Sequence, residues 1–399
     1  MPPGQGDIKM AGRVVIASAV RTPFTRAHKG EFKDTRPDTL AAVAIKEAVA
    51  QVPGLKPEDI GDVVLGCAMP EAEQGMNVAR VATLLAGLPV TVPAMTINRF
   101  CSSGSQAIAQ VAQAIQAGMY DVGIGGGTES MTMVPMGGNK ASANPEAMER
   151  LPEIYTSMGA TAENIASRYG VSREDSDKFA AESQRRAATA REQGKFKEEI
   201  VPVTTTYYDD DGVAQNVTVT VDTILRPETT QEGLAKLRPA FNPKGVVTAG
   251  NASPLTDGAA AAVVMSEAKA KELGVKPLGY FIDAAVAGVP PEIMGIGPVP
   301  AVRKLLEKNK LKVEDIDVFE LNEAFGAQAL YCVRELGIPA DKVNPNGGAI
   351  ALGHPLGVSG ARMVATILRE LKRRNGRYGV VSMCIGGGMG FAALIEAPK

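Results

Sequence analysis

The chain has 399 residues, too many for one ordinary core, and its 45% hydrophobic and 22% charged residues suit a globular protein of two or three units. A formal net charge of -2 and an isoelectric point near 5.9 give no footing for a nucleic-acid partner. No stretch nears the about 18 uninterrupted apolar residues of a membrane span. The four cysteines (Cys67, Cys101, Cys332, Cys384) form neither a CxxC pair nor a Cys/His cluster, so no metal site or disulfide framework is expected.

The opening residues lack a basic segment followed by a long apolar one, so no secretory signal is expected and a cytoplasmic setting with reduced thiols follows. "RVVIASAV" (13–20) predicts a strand, and "RTPFTRAHKGEFKD" is a polar, exposed segment carrying His28, one of only two histidines. "DTLAAVAIKEAVAQV" (38–52) predicts a helix and "DVVLGCA" (62–68) a strand that buries Cys67. "INRFCSSGSQAIA" (97–109) then sets Cys101 in front of a helix over 103–118. N–H groups and the dipole at a helix start lower a thiol's pKa, and Gly104-Ser105 permits close approach by a substrate. A small buried turn cysteine fits that stretch equally well.

"VGIGGG" (122–127) is the next strand, followed by a region of different character over 129–250. It opens Met-rich, "MTMVPMGG", and contains a charged amphipathic helix (172–194) whose Ser172 and Asp175 form a loose capping box. This region reads as an insertion covering one face of the core. "AAAAVVMS" (259–266) returns to a strand. In "ELNEAFGAQ" (320–328) a polar pair interrupts the end of a buried strand, where ligands bind in α/β sheets; Asn322 is either a helix N-cap or a site residue. Cys332 follows within a helical run and is assigned to the core. "NPNGGAIALGHPLGVSGAR" (344–362) holds His354 beside a helix start, suited to a general base or to an unremarkable Gly-rich surface loop. Cys384 ends the strand of "VVSMCIGGGMG", the usual place of a buried structural cysteine.

The halves repeat. "LKPEDIGDVVL" starts at Leu55 and "LKVEDIDVFEL" at Leu311, an offset of 311 − 55 = 256 that carries Gly104 onto Gly360. Each glycine opens an apolar helical pattern followed by a strand and a glycine cluster, the second cluster arriving a few residues late as if after an insertion. Two copies of an α/β unit are expected.

In this order, "INRFCSSGSQAIA", "GGGTESMT", "VTAGNASPLTDGAAA", "NEAFGAQ", "GGAIALGHPLGVSGAR" and "CIGGGMG" resemble the motifs of thiolases, the acetyl-CoA acyltransferases, over nearly the whole chain. The resemblance implies an α/β fold, two duplicated core halves in a five-layered α/β/α/β/α arrangement with an inserted loop domain. Its boundaries would be 12–128 plus 251–274 for the first half, 129–250 for the insertion and 275–399 for the second half. It further implies Cys101 as the nucleophile, His354 as the base, and Cys384 as the acid or base at the acetyl carbon. Asn322 would hold a water that forms, with His354, an oxyanion hole for the thioester enolate. The N–H groups of Cys101 and Gly386 would form a second hole. For coenzyme A it points to Arg226 near the adenine and phosphate end and Ser253 at the pantetheine. Ala240, Phe241, Ala249, Met158 and Phe325 would line the tunnel apolarly.

No metal or redox cofactor is implied, and coenzyme A and 3-ketoacyl-CoA are the expected partners, in a homodimer or homotetramer that could join other β-oxidation enzymes. Ser157 stands where short-chain thiolases carry a histidine, and "NRFCSSG" is more similar to degradative 3-ketoacyl-CoA thiolases than the "NKVCGSG" form of acetoacetyl-specific ones. A broad-chain enzyme is therefore favoured over an acetoacetyl-CoA thiolase. A β-ketoacyl synthase would need a second histidine where Asn322 stands. A non-catalytic lipid-binding relative would be expected to lack one of the cysteines or the histidine.

Overall fold

The structure, a computed structural model, describes residues 12–398, so the reading of the first eleven residues and of Lys399 lies outside it. The first half runs β1 (Val14–Arg21), β2 (Thr25–Arg26), α1 (Pro37–Ala50), β3 (Asp62–Gly66), α2 (Val78–Leu85), β4 (Ala94–Ile97), α3 (Ser103–Gln116) and β5 (Val122–Ser130). The chain then leaves the sheet for α4 (Pro145–Arg150), α5 (Met158–Tyr169), α6 (Arg173–Glu192), a hairpin of β6 (Val203–Tyr208) and β7 (Ala214–Val219), and α7 (Gln231–Ala235). It rejoins at β8 (Thr256–Ser266), followed by α8 (Glu267–Glu272). The second half is β9 (Gly279–Gly288), α9 (Pro298–Lys308), β10 (Val318–Leu321), α10 (Gly326–Leu336), α11 (Ala349–Leu352), α12 (Ser359–Arg374), β11 (Tyr378–Ile385) and β12 (Met389–Glu396).

The duplication is written in the pairing. The first half orders its strands β1-β8-β5-β3-β4, the second β9-β12-β11-β10, with antiparallel and parallel neighbours at matching places. The two sets are hydrogen-bonded to each other where β1 pairs β9, at Val14–Phe281, Val15–Tyr280 and Ile16–Gly279, a continuity the sequence does not signal. Apolar faces divide the layers. Helices α3 and α12 share one core with strands of both halves, through Ile108, Val111, Val364 and Ile367 beside Val64, Val264, Val381 and Ile385. On one outer face α1 packs Leu40 and Ile45 against Val63 and Val263, and on the other α9 packs Val302 and Leu305 against Val380 and Leu394. This is the five-layered α/β/α/β/α arrangement.

The offset of 256 holds for α3 and α12, for β3 and β10, and for the starts of β5 and β11 at Val122 and Tyr378. No insertion separates these strands, which corrects the equivalence drawn between the glycine clusters. Gly125–127 lie inside β5, whereas Gly386–388 lie in the turn after β11, with Gly387 and Gly388 at positive φ. The strand glycines answer a packing demand instead: a Cβ at Gly125 would stand 2.6 Å from the Ile108 Cα. In the inserted region Ser172 caps α6, its hydroxyl accepting the Asp175 N–H at 3.0 Å, as expected.

The central helices cross at two glycines. A Cβ at Gly104 would lie 2.8 Å from the Gly357 carbonyl oxygen, and one at Gly360 would run into the Ser105 side chain, 2.6 Å from its Cβ, and lie 2.7 Å from the Ser105 nitrogen. Close backbone approach at such a crossing requires glycine. At Gly127 a Cβ would be 2.1 Å from the same Gly357 oxygen, a neighbour that cannot swing aside. Gly127→Ala is therefore expected to destabilise the protein by about 1–3 kcal/mol in urea unfolding. Gly233→Ala, on exposed α7 with its nearest neighbour at 3.4 Å, stays within about 0.5 kcal/mol.

Candidate active site

Cys101 sits in a single 3₁₀ turn (Phe100–Ser102) that runs straight into α3. The turn is strained, with Phe100 at φ +44°, and its own side chains stitch it. The Phe100 N–H donates to Asn98 Oδ1 and the Arg99 N–H to Ser103 Oγ, both at 2.8 Å; Ser103 Oγ donates to the Phe100 carbonyl at 2.7 Å. Burial, seconded by the charge of Glu129, pushes the Cys101 thiol up to about 12, although the N–H groups of Gly386 and of Cys101 itself favour the thiolate. Of the two readings that the stretch allowed, a thiolate at a helix start and a buried turn cysteine, burial favours the second for the resting group: desolvation outweighs the dipole, and the group is a thiol. The two N–H groups aimed at its sulfur are those expected of an oxyanion hole.

His354 lies on the 353–358 turn between α11 and α12 and is 4% exposed. Its Nδ1 is 2.5 Å from Ser359 Oγ, which donates onward to the Pro355 carbonyl at 3.0 Å. With that hydroxyl proton committed, the network assigns the ring proton to Nδ1 and leaves Nε2 unprotonated. Asn322 Nδ2 stands 3.2 Å from Nε2. Burial, then the Arg362 charge, pushes His354 down to about 3, so the imidazole is neutral near pH 7. Asn322 is no N-cap, because α10 begins at Gly326 with Phe325 as its cap. Its Oδ1 is buried and unpartnered, an acceptor left for a ligand or water.

Cys384 is the penultimate residue of β11, fully buried among Ala162, Val247, Met294, Ala324 and Phe325. Burial raises its thiol well above the ordinary value, and Cys101 and Cys332 add to the rise, so the thiols of Cys101 and Cys384 feel one another. Gly386, two residues on, faces a gap between Phe100 and Met158: its Cβ would be 3.6 Å from Phe100 Cδ2 and from Met158 Sδ.

The residues expected to hold coenzyme A divide into a wall and a rim. Met158 and Phe325 pack with the Cys384 cluster, and Phe241, half exposed, meets Phe325 edge to face with centroids 6.1 Å apart. Ser253 joins this wall, its N–H and hydroxyl both donating to the Ala324 carbonyl at 3.0 Å. Ala240 and Ala249 are exposed beside a short bridge, the Ala240 N–H bonded to the Val247 carbonyl at 2.8 Å. Arg226 is exposed and stands apart, tied by its N–H to Gln184 Oε1 of α6 at 3.0 Å. The side chain of His28 is exposed, and Cys67 and Cys332 are buried as expected. Sequence reasoning missed Ser359, which sets the tautomer, Thr256, whose Oγ1 accepts the His354 N–H at 3.0 Å, and Glu129, buried beside both turns. A carboxylate closing the glycine run "GGGTES" was the available signal for the last.

Comparison with known proteins agrees with this geometry. Residues 14–268 match the family model described as "Thiolase, N-terminal domain", and residues 275–397 match "Thiolase, C-terminal domain". A 3-ketoacyl-CoA thiolase of Bacillus subtilis is 52% identical over 96% of this chain and 98% of its own. The peroxisomal 3-ketoacyl-CoA thiolase A of Mus musculus is 53% identical over 97% of this chain and 92% of its own. Among solved structures, the acetyl-CoA acetyltransferase of Bacillus anthracis superposes with a TM-score of 0.89 at 42% identity, covering 98% of this chain and 100% of that one.

The buried ring makes one expectation direct. The folded state holds His354 below its ordinary value of 6.5, so the stability of the neutral ring is full above that pH and drains as pH falls toward about 3. Nitrogen-15 NMR of the ring should accordingly report a neutral imidazole protonated at Nδ1 from about pH 8 down to about pH 5. A ring that takes up its proton near 6.5 would contradict the burial.

Proposed function

The chain belongs to the thiolase family and is an acyltransferase, and on that premise we propose that it cleaves 3-ketoacyl-CoA with coenzyme A to acetyl-CoA and a shortened acyl-CoA, reversibly. The observation that carries the reading is the buried imidazole of His354, with Nδ1 2.5 Å from Ser359 Oγ and Nε2 3.2 Å from Asn322 Nδ2, at the start of the helix that packs against the Cys101 turn.

The sulfur of Cys101 attacks the keto carbon while its proton passes to Nε2 of His354. The tetrahedral oxyanion takes the N–H groups of Cys101 and Gly386. The bond between the keto carbon and the α-carbon then breaks, and the enolate of acetyl-CoA receives the proton of Cys384. Asn322 and His354 face that enolate oxygen, Asn322 through a water. The imidazolium returns its proton to the Cys384 thiolate. In the second half, coenzyme A gives its thiol proton to His354, attacks the thioester, and the departing Cys101 thiolate takes that proton back. Three proton carriers balance the cycle, so the reading assigns no cofactor beyond coenzyme A as substrate. The wall of Met158, Phe325, Phe241 and Ser253 supports the pantetheine path, with Ala240, Ala249 and Arg226 toward the adenine end. The three-part division into 12–128 with 251–274, 129–250 and 275–399 belongs to the same reading, supported by the excursion of the chain between Ser130 and Thr256.

A homodimer or a dimer of dimers is part of the proposal. Its support is β4, an edge strand in contact with α2, beside which Met76, Leu85 and Val90 expose apolar side chains. A cytoplasmic location is supported by four free cysteines, and partnership with other β-oxidation enzymes follows from the substrate. No helix among the described residues is long and apolar enough to cross a membrane.

The solved relative titled acetyl-CoA acetyltransferase favours a second reading, restriction to acetoacetyl-CoA. A thiolysis profile over 3-ketoacyl-CoA chain length decides between them: turnover should extend to long chains, and activity confined to acetoacetyl-CoA establishes the second reading. Cys101→Ala should be inert at every length, and turnover by it would remove the nucleophile assignment. Cys384→Ala should still acquire an acyl group from acyl-CoA yet lose exchange of the acetyl α-protons with solvent; exchange at the wild-type rate would take Cys384 out of the chemistry.

A further inference from the structure

Glu129 is the penultimate residue of β5, all nine residues of which are buried, and is itself 1% exposed. A carboxylate taken so far from water normally carries a cation. Among the described residues no lysine or arginine forms an ion pair with this one, and neutral donors surround it. Oε2 accepts the N–H groups of Ala68 at 2.7 Å and Gly357 at 2.8 Å. Oε1 accepts Gln74 Nε2 at 2.8 Å and the Met69 N–H at 3.3 Å, with the Cys67 thiol at 3.7 Å.

These donors belong to two turns from different halves of the chain. Gly357 lies three residues after His354, on the same turn. Ala68 leads to the other, since its carbonyl accepts Asn98 Nδ2 at 3.0 Å and Asn98 Oδ1 takes the Phe100 N–H that holds the strained turn of Cys101. A single oxygen, Oε2, thus ties the base-bearing turn directly to the strand end that braces the nucleophile's turn. Packing leaves the joint no slack: a Cβ at Gly357 would lie 2.7 Å from that oxygen and 2.8 Å from the Cys67 Cα. The charge itself opposes ionisation of Cys101, so what the carboxylate contributes is position.

We propose that Glu129 is a positioning residue of the acyl transfer, holding the His354 turn in register with the Cys101 turn so that the thiol proton passes straight to Nε2. The proposal rests on the thiolase reading above. With the base in register, acylation needs no free thiolate, and its rate is flat in pH above the range where His354 protonates. With the base displaced, the thiol must ionise alone, and the rate rises about tenfold per pH unit, because only the thiolate reacts.

The test is the rate of enzyme acylation by an acyl-CoA between about pH 6 and 9 for wild type, Glu129→Gln and Glu129→Asp, the last keeping the charge on a side chain one methylene shorter. The proposal expects a flat wild-type profile. In the variants kcat should fall about 10²-fold, KM should hold within about twofold, and the profile should rise with pH. Should Glu129→Gln not fold, Glu129→Asp supplies the same comparison. A folded variant with a flat profile, whatever its kcat, overturns the proposal and leaves Glu129 a structural residue. A wild-type enzyme that forms no acyl-Cys101 overturns the thiolase reading and the proposal with it.

Discussion

Two helices from the two halves of the chain cross at a pair of glycines, and the site exists because they do. Gly104 lets α3 meet the backbone of Gly357, Val358 and Ala361, and Gly360 lets α12 close on Ser105. At the N-terminal ends of these helices lie the Cys101 and His354 turns, so the distance between nucleophile and base is inherited from the crossing. A methyl group at the crossing would therefore act on the chemistry as well as on stability. The surrounding layers serve this joint, with α1, α2, α9 and α10 sealing the outer faces of the sheets against water.

Burial determines the charge state of the site. It drives the Cys101 thiol up to about 12 and His354 down to about 3, so both groups are uncharged at neutral pH. An ion pair in that position would carry a heavy desolvation cost. A neutral thiol beside a neutral imidazole avoids it and forms charge only as the substrate carbonyl supplies an oxyanion for the N–H groups of Cys101 and Gly386. Burial raises the Glu129 carboxyl too, and the N–H groups of Ala68, Gly357 and Met69 with the Gln74 amide oppose that rise without bringing a cation near the reacting atoms.

Much of this was legible in the sequence, and the limits have physical causes. The offset of 256 carried α3 onto α12 and β3 onto β10, since a duplicated unit keeps its turn and helix signals. The glycine clusters misled, because Gly125–127 answer to packing within β5 and Gly386–388 to a turn, two demands that look alike in one-letter code. Setting aside the N-cap reading of Asn322 needed the start of α10, which capping preferences alone leave two ways. The protonation state of Cys101 stays open in the sequence because helix-dipole reasoning sees the local turn and not the desolvation imposed by residues far along the chain, such as Met131 and Leu356. Glu129 went unnoticed for a similar reason: its partners Ala68 and Gly357 are brought to it only by the crossing.

The central claim is that one of two neighbouring buried thiols carries the acyl group while the other moves a proton. It is tested most directly by quenching the enzyme with an acyl-CoA and mapping the added mass by peptide mass spectrometry. Acylation is expected on the peptide containing Cys101 and none on that containing Cys384. Acyl mass on Cys384, or on neither cysteine while turnover proceeds, would contradict it.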